Sequence, residues 1–370
     1  MEKMMKCAIY HGVGDIRLEE RPVPQISDND VLIKVLRAGI CGSDTGAYLY
    51  GGEAAGIFKG QQFGHELVGK IVAKGKNVTD KIHLEDIVFV DPMQAHKSGS
   101  FEADMLGAFS EYVKVENAEI NRNIYILNKN IDLDTAALIE PVSVGTRGAT
   151  RLNPDLNDNA VILGAGTIGL SAAAGLLARG AKNVIVIDQV DWRLAKAAQL
   201  GAKTINTSNE DLLTKLLEYC GEVPQGAPFN PADLDPYLLQ QVVEFAQKAN
   251  MSFDAKKPNI DLVVDCAGAV PLLQQMFNLS KWETKYVIVA VYHKDLVLNP
   301  NIFIMYQPTL TSSKGYVTDT ILEVIDHITK EKTPIKTIVT KKFKHTDFIE
   351  AMKAACDAKN NIKVIIDYEM

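Results

Sequence analysis

Residues 159–188 read NAVILGAGTIGLSAAAGLLARGAKNVIVID, and no other stretch restricts the fold so tightly. A β-branched run, VIL, ends at a glycine. GAGTIG follows, then the good helix former LSAAAGLLAR, then the unbroken aliphatic run VIVID. Unbroken runs of that kind suit parallel strands buried on both faces. Strand, glycine turn, helix and strand in that order make a βαβ unit. Further strands are expected at KTIN (203–206), IDLVVDCAG (260–268) and KYVIVAVY (285–292), with helical stretches such as DWRLAKAAQLG between them. This alternation predicts an α/β architecture with a doubly wound parallel sheet.

Gly164, Ala165, Gly166, Thr167, Ile168 and Gly169 fit the pattern GxGxxG in the context its mechanism requires, after a strand and opening a helix. Gly164 permits the tight turn, Gly166 lets the backbone approach a diphosphate, and Gly169 lets the helix pack closely. The diphosphate then rests on the free amides of the helix N-terminus. Asp188 ends the next strand, where its carboxylate accepts from ribose hydroxyls and repels a 2′-phosphate. NAD is therefore expected over NADP; the bland alternative is that Asp188 only caps the next turn. Arg193 either packs on the adenosine or is a solvated helix residue.

The first 140 residues are different in style. DVLIKVLRAGI (30–40), LVGKIVAKG (67–75) and EDIVFVDP (85–92) are bounded by Gly, Asp or Pro and predict irregular, mainly antiparallel β structure. At 370 residues two domains are the default. A net charge of −7 argues against nucleic acid or an anionic membrane as partner. No segment supplies the roughly 18 uninterrupted apolar residues of a membrane span, and no signal-peptide pattern follows MEKMMKCAIYHG. The five cysteines are odd in number, far apart and free of any CxxC pair, which suits a reducing cytoplasm rather than a disulfide framework. The tail is expected to hold helices at TDTILEVIDHITK and DFIEAMKAACDAK and strands at KTIVTKKF and KVIIDY, either extending the nucleotide domain or returning to the first.

Candidate metal ligands lie in two glycine-punctured segments, GICGSD (39–44) and GHELVG (64–69), and in LIEPVSVG (138–145). Cys41 alone reads as core and His65 alone as structural. Together with Glu66 and Glu140 they make a plausible zinc set, since a carboxylate inside an apolar stretch is costly unless paired or ligating. Successive residues of a regular strand face opposite ways, so His65 and Glu66 can serve one ion only if the chain bends there. Whether Glu66 or Glu140 ligates directly stays open, as does action through a bound water.

GICGSD, GHELVGKIVAKG, LIEPVSVG, GAGTIG and the closing IKVII occur in the order found in zinc-dependent medium-chain dehydrogenases. LIEP resembles the sorbitol (polyol) dehydrogenase branch. The resemblance covers nearly the whole chain. It implies a GroES-like catalytic domain from residues 1–145 and 318–370, with a Rossmann NAD-binding domain inserted at 146–317. It implies that Cys41 and His65 are metal ligands, that Glu66 or Glu140 completes the set, that Ser43 takes the substrate proton and that Asp44 orients the histidine. The implied reaction is oxidation of a secondary alcohol or polyol to a ketone, with zinc as Lewis acid and NAD as hydride acceptor. A homodimer or homotetramer is common in such relatives.

The chain departs from the family pattern in four places. The stretch 91–107 has no cysteine cluster, so one catalytic zinc and no structural zinc is expected, with His96, Glu102 and Asp104 as solvated loop residues. Gly46 stands where a relay histidine is common, and Ala47 where sorbitol dehydrogenases have an aromatic contact. Their small size suggests a wider pocket, unless Tyr48 or Tyr50 turns into it. Residues 207–259 are longer than usual, with an extra amphipathic helix at 235–249. Two rivals stand beside the dehydrogenase reading: a zinc-free, NADPH-dependent enone or quinone reductase, and a non-catalytic nucleotide-binding redox sensor. A sugar alcohol, cyclitol, diol or sterol would each fit as substrate.

Overall fold

The computed structural model describes residues 3–95, 107–228, 230–248, 256–279 and 281–370. Along the first part of the chain run β1 (Met4–Gly12), β2 (Asp15–Pro22), β3 (Val31–Gly39), β4 (Gln61–Gln62), β5 (Glu66–Lys74), β6 (Ile87–Val90), β7 (Tyr112–Val115) and β8 (Ile124–Ile126). Then come β9 (Asn159–Leu163), β10 (Asn183–Asp188), β11 (Lys203–Asn206), β12 (Leu262–Asp265), β13 (Lys285–Ile288) and β14 (Thr309–Ser312), and finally β15 (Val339–Lys344) and β16 (Lys363–Asp367). The chain divides into two compact units. One takes Met1–Pro141, Ile321–Glu331 and Lys336–Met370, the other Val142–Thr320 and Lys332–Ile335.

In the first unit β2, β1 and β4 form one antiparallel sheet. A second sheet has the order β15-β16-β3-β5-β6-β8, with β7 also on β3; every pairing is antiparallel except β15 with β16. The tail therefore returns to the first part of the chain: Ile365 pairs with Gly39 and Ile366 with Ala38. KTIVTKKF begins as a 3-10 turn and becomes strand only at Val339. Val31, Ile33, Val35, Leu67, Ile71, Val88 and Val364 fill the core between the sheets and the helix Phe348–Cys356. Phe63, Phe109 and Phe348 pack with ring centroids 4.7 to 6.0 Å apart.

The second unit holds one all-parallel sheet in the order β11-β10-β9-β12-β13-β14. Val161, Leu163, Ile185, Ile187 and Val263 are fully buried, as double-sided cover requires. The helix Thr167–Arg179 is lined with Ala172, Ala173 and Ala174 and comes very close to the chain at 145–146. A Cβ on Gly175 would lie 2.4 Å from Thr146 Oγ1, and one on Gly145 would lie 2.5 Å from the Ala172 nitrogen. The strand expected over 285–292 stops at Ile288, and its last four residues enter a loop. The extra amphipathic helix is present at Pro236–Lys248. It turns Leu239, Val242, Val243 and Ala246 inward and leaves Tyr237, Leu238 and Phe245 exposed. No helix among the described residues is long and apolar enough to cross a membrane.

Candidate metal centre and dinucleotide turn

Gly39 closes β3, and two residues later the chain turns into the helix Gly42–Tyr50. Cys41 is the N-cap, with extended backbone (φ −88°, ψ 161°). Asp44 reaches back, its Oδ2 accepting the Cys41 amide at 2.8 Å, so the cap fixes where the thiol sits. Gly64, at φ +89°, supplies the bend before β5 that a histidine and its following glutamate need to share one ion. A Cβ there would lie 2.6 Å from the Phe109 ring, so only glycine passes. His65 precedes the strand and Glu66 is its first residue, paired with Gly39. A Cβ on Gly39 would lie 1.9 Å from Glu66 Oε2: the glycine makes room for the carboxylate.

One ligand atom each from Cys41, His65 and Glu66 lie within 4.8 Å of one another, the one such set of three among the described residues. Glu140, in the first turn of the helix Ile139–Thr150, is outside that set yet buried, and its carboxyl feels the charges of His65 and Glu66. Burial pushes its carboxyl up to about 7; Glu66 and Asp91 add to the push, while His65 and Lys363 oppose it. Burial likewise pushes the fully buried Asp44 up to about 6, against the pull of His65 and the Cys41 amide. Burial works against charge on His65, but Cys41, Asp44 and Glu140 outweigh it and hold the imidazole well above its usual range.

Lys363 was not among the residues expected from sequence. Its Nζ donates to Glu66 Oε1 and Oε2 (2.8 and 2.7 Å) and to the Ile40 carbonyl (3.0 Å), and both side chains are all but inaccessible. Burial alone would lower its pKa, but Glu66, Cys41 and Glu140 raise it. The only hint in the sequence is a lysine inside IKVII, a position that a buried strand gives to a charge only when the charge is matched.

The donors fit a divalent cation. His65 Nδ1, Asp44 Oδ1 and Ser43 Oγ are buried without hydrogen-bond partners. Around them Lys363 and the His65 imidazole face Cys41 and the carboxylates of Asp44, Glu66 and Glu140, a donor set of thiolate, imidazole and carboxylate that suits a soft-to-borderline metal. The expected hydrogen bond from His65 to Asp44 does not form; Asp44 instead spends one oxygen on the Cys41 amide. Ala47 is 1% exposed and packs in the core of the first unit. A Cβ on Gly46 would meet nothing within 4 Å. Tyr50 is 81% exposed, whereas Tyr48 packs on the core. His96, Glu102 and Asp104 lie outside the described residues.

In the second unit Gly164 adopts φ +94°, and Gly166 has open space where a Cβ would stand. A Cβ on Gly169 would lie 1.8 Å from the Gly164 carbonyl oxygen. Thr167 and Ile168 open the helix Thr167–Arg179. Asp188 both caps and braces: Oδ1 accepts the amides of Gln189 and Val190 (2.8 and 3.0 Å), and Oδ2 accepts that of Ala165 (2.7 Å). The carboxylate thus fastens the glycine turn to the end of β10. The Arg193 guanidinium lies 5.8 Å from the centroid of the Trp192 ring.

A family model described as zinc-binding dehydrogenase matches residues 167–330, and one described as alcohol dehydrogenase GroES-like domain matches residues 27–122. Sorbitol dehydrogenase of Bacillus subtilis (strain 168) is 34% identical over 231 residues, 57% of this chain and 64% of that one. The match therefore spans less than two thirds of that relative's length. Sorbitol dehydrogenase of Bombyx mori is 31% identical over 237 residues, 59% of this chain and 67% of that one. The crystal structure of 2R,3R-butanediol dehydrogenase from Bacillus subtilis shares the fold, with a TM-score of 0.77 at 24% identity over 98% of this chain and 99% of that one. With relatives, family models and fold in agreement, the chain belongs to the zinc-dependent medium-chain dehydrogenase superfamily, GroES-like and Rossmann domains included, in its sorbitol dehydrogenase-like branch.

Proposed function

We propose that the protein oxidises a secondary alcohol or polyol reversibly to the ketone, with one zinc ion per chain and NAD. The observation that carries this reading is the convergence of Cys41, His65 and Glu66, one ligand atom each within 4.8 Å of the others. Cys41 and His65 would hold the ion, with Glu66 as third donor and Glu140 beside it. When bound, zinc supplies Lewis acidity and NAD a hydride acceptor. In this reading Ser43, whose Oγ is buried without a hydrogen-bond partner, takes the proton that leaves the substrate hydroxyl. Glu140 holds or releases a proton near neutrality, consistent with its raised pKa. Asp44 positions Cys41 through the helix cap, and Asp188 supports NAD over NADP by its charge at the end of β10.

The five cysteines are free, in keeping with work in a reducing cytoplasm. Assembly into dimers or tetramers is part of the same reading. β14 is an uncharged edge strand that leaves its outer backbone groups to a further strand. Sedimentation of the purified chain as a monomer would refute that part alone.

The test is metal analysis together with NADH formation on a panel of polyols, sugar alcohols, diols and hydroxysteroids, with and without chelator. Cys41→Ala is expected to lose both zinc and turnover while still binding NADH. Ser43→Ala should keep zinc and lose about 100-fold in kcat. A metal-free protein that reduces enones with NADPH, or a Cys41→Ala variant with parental turnover, would overturn the assignment.

A further inference from the structure

Behind the dinucleotide turn stands an anchor that no motif reveals. β12 ends at Asp265, a carboxylate 1% exposed. Its Oδ1 accepts the amides of Ala267 (3.0 Å) and Gly268 (3.2 Å), and its Oδ2 accepts the hydroxyl of Tyr292. Its main-chain carbonyl takes the amides of Val289 and Ala290 at 2.9 and 3.0 Å. One residue therefore ties the loop after β12 to the loop after β13. A charge this deep persists only where each oxygen is bonded, and charge-assisted bonds are the strong ones.

The anchored loop bears directly on the glycine turn. A Cβ on Gly164 would lie 3.1 Å from the Ala267 Cβ, so the first glycine of the motif already touches the segment that Asp265 holds. Gly268 sits at φ +65°, where a Cβ would lie 2.9 Å from the Val291 carbonyl oxygen. Residues 267–268 are thus held between the dinucleotide turn on one side and the 289–292 loop on the other, with no slack at either face.

We propose that Tyr292 is a positioning residue for the diphosphate site: its hydroxyl fixes Asp265, Asp265 fixes residues 267–268, and these hold Gly164 and the amides beyond it in binding shape. The inference rests on the dinucleotide reading of GAGTIG. Neither side chain has to touch the cofactor, since both act through backbone. Removal of the hydroxyl leaves one oxygen of the buried Asp265 without its partner, loosens 267–268, and makes the ligand pay for order the free protein formerly had.

The experiment is Tyr292→Phe in the full chain, with dissociation constants for NADH by fluorescence and for ADP-ribose and adenosine by competition. NADH and ADP-ribose, which carry the diphosphate, should each bind about tenfold more weakly. Adenosine, which lacks it, should stay within about twofold. KM for NAD should rise in step, with kcat at saturating NAD the smaller change. Asp265→Asn should weaken the same two ligands. Combined with Tyr292→Phe, it should cost less than the product of the single effects, because the two act on one linkage. NADH affinity within twofold of the parent, or adenosine lost as much as ADP-ribose, would overturn the proposal while leaving the dinucleotide reading intact. A parent protein that binds no NADH would remove that reading and the proposal with it.

Discussion

Lys363 and Glu66 form an ion pair with side chains 2% and 1% exposed, and Gly39 exists at its position so that the carboxylate has somewhere to lie. Removal of one partner from such a pair strands the other without solvent, at a cost of about 3–5 kcal/mol. Lys363→Met should therefore lower the stability of metal-stripped protein by about that amount in urea unfolding. Added zinc should recover more stability in the variant than in the parent, because Glu66 is then free to serve the ion alone. Unfolding of the stripped variant at the parental midpoint would show that the pair is not what holds this corner. At this scale the sequence was legible in part. Cys41, His65 and Glu66 stand in short, glycine-marked motifs that point to a metal only when taken together. Lys363 stands in a five-residue strand among Ile and Val, and its partner is 297 positions away, so no local pattern connects them. Asp44 was legible as a neighbour of the site, but not its actual bond, since a capping box and a histidine brace draw on the same carboxylate.

The strand, glycine turn and helix from Asn159 to Arg179 behave as one element, and the close approach of Gly169 to the Gly164 carbonyl is what joins its parts. A methyl group 1.8 Å from that oxygen cannot be absorbed without parting turn from helix. Gly169→Ala should weaken NADH binding by about 100-fold or more while zinc content stays parental; an undiminished affinity would mean the dinucleotide sits elsewhere. This element was readable because its periodicity, its glycines and its length all agree. The end of β13 was not. KYVIVAVY is an unbroken β-former, yet the strand stops at Ile288, where β12 also ends; beyond it the Asp265 carbonyl accepts the Ala290 amide as well as that of Val289, which a regular ladder does not provide. The helix Gly42–Tyr50 was equally hidden: GSDTGAYLY holds two glycines and few strong helix formers, and the cap from Asp44 sets it going.

Across the whole molecule, the returning tail is sealed to the first part of the chain by His345 and Tyr368. Their rings stack at 4.5 Å, with His345 Nε2 3.0 Å from the Phe109 carbonyl and the Tyr368 hydroxyl donating to the Ala108 carbonyl at 2.9 Å. Burial holds the imidazole below its usual pKa, and Lys6 adds to this; the Phe109 carbonyl and Glu111 oppose it. The unfolded chain therefore takes up a proton at pH values where the folded one still resists. The seal's full contribution is present above the unfolded value of about 6.5 and is lost as pH falls through the lower folded value. Asp44 and Glu140, with raised pKa values, act with the opposite sign, so the test is a difference. Between pH 7.5 and 5, the parent should lose more melting temperature than His345→Gln, by a slope of at most one proton, about 1.4 kcal/mol per pH unit. Parallel curves for the two proteins would remove His345 from the account.

The origin of Lys363 also sets a timetable. A ribosome that has just released Glu66 must add 297 more residues before the lysine exists, which at about 5–20 residues per second takes roughly 15–60 s. Throughout that interval the nascent chain carries the Cys41 thiol, the His65 imidazole and Glu66 without the lysine that meets them in the folded protein, so the centre matures only once Lys363 is made, long after the segments that supply most of its atoms.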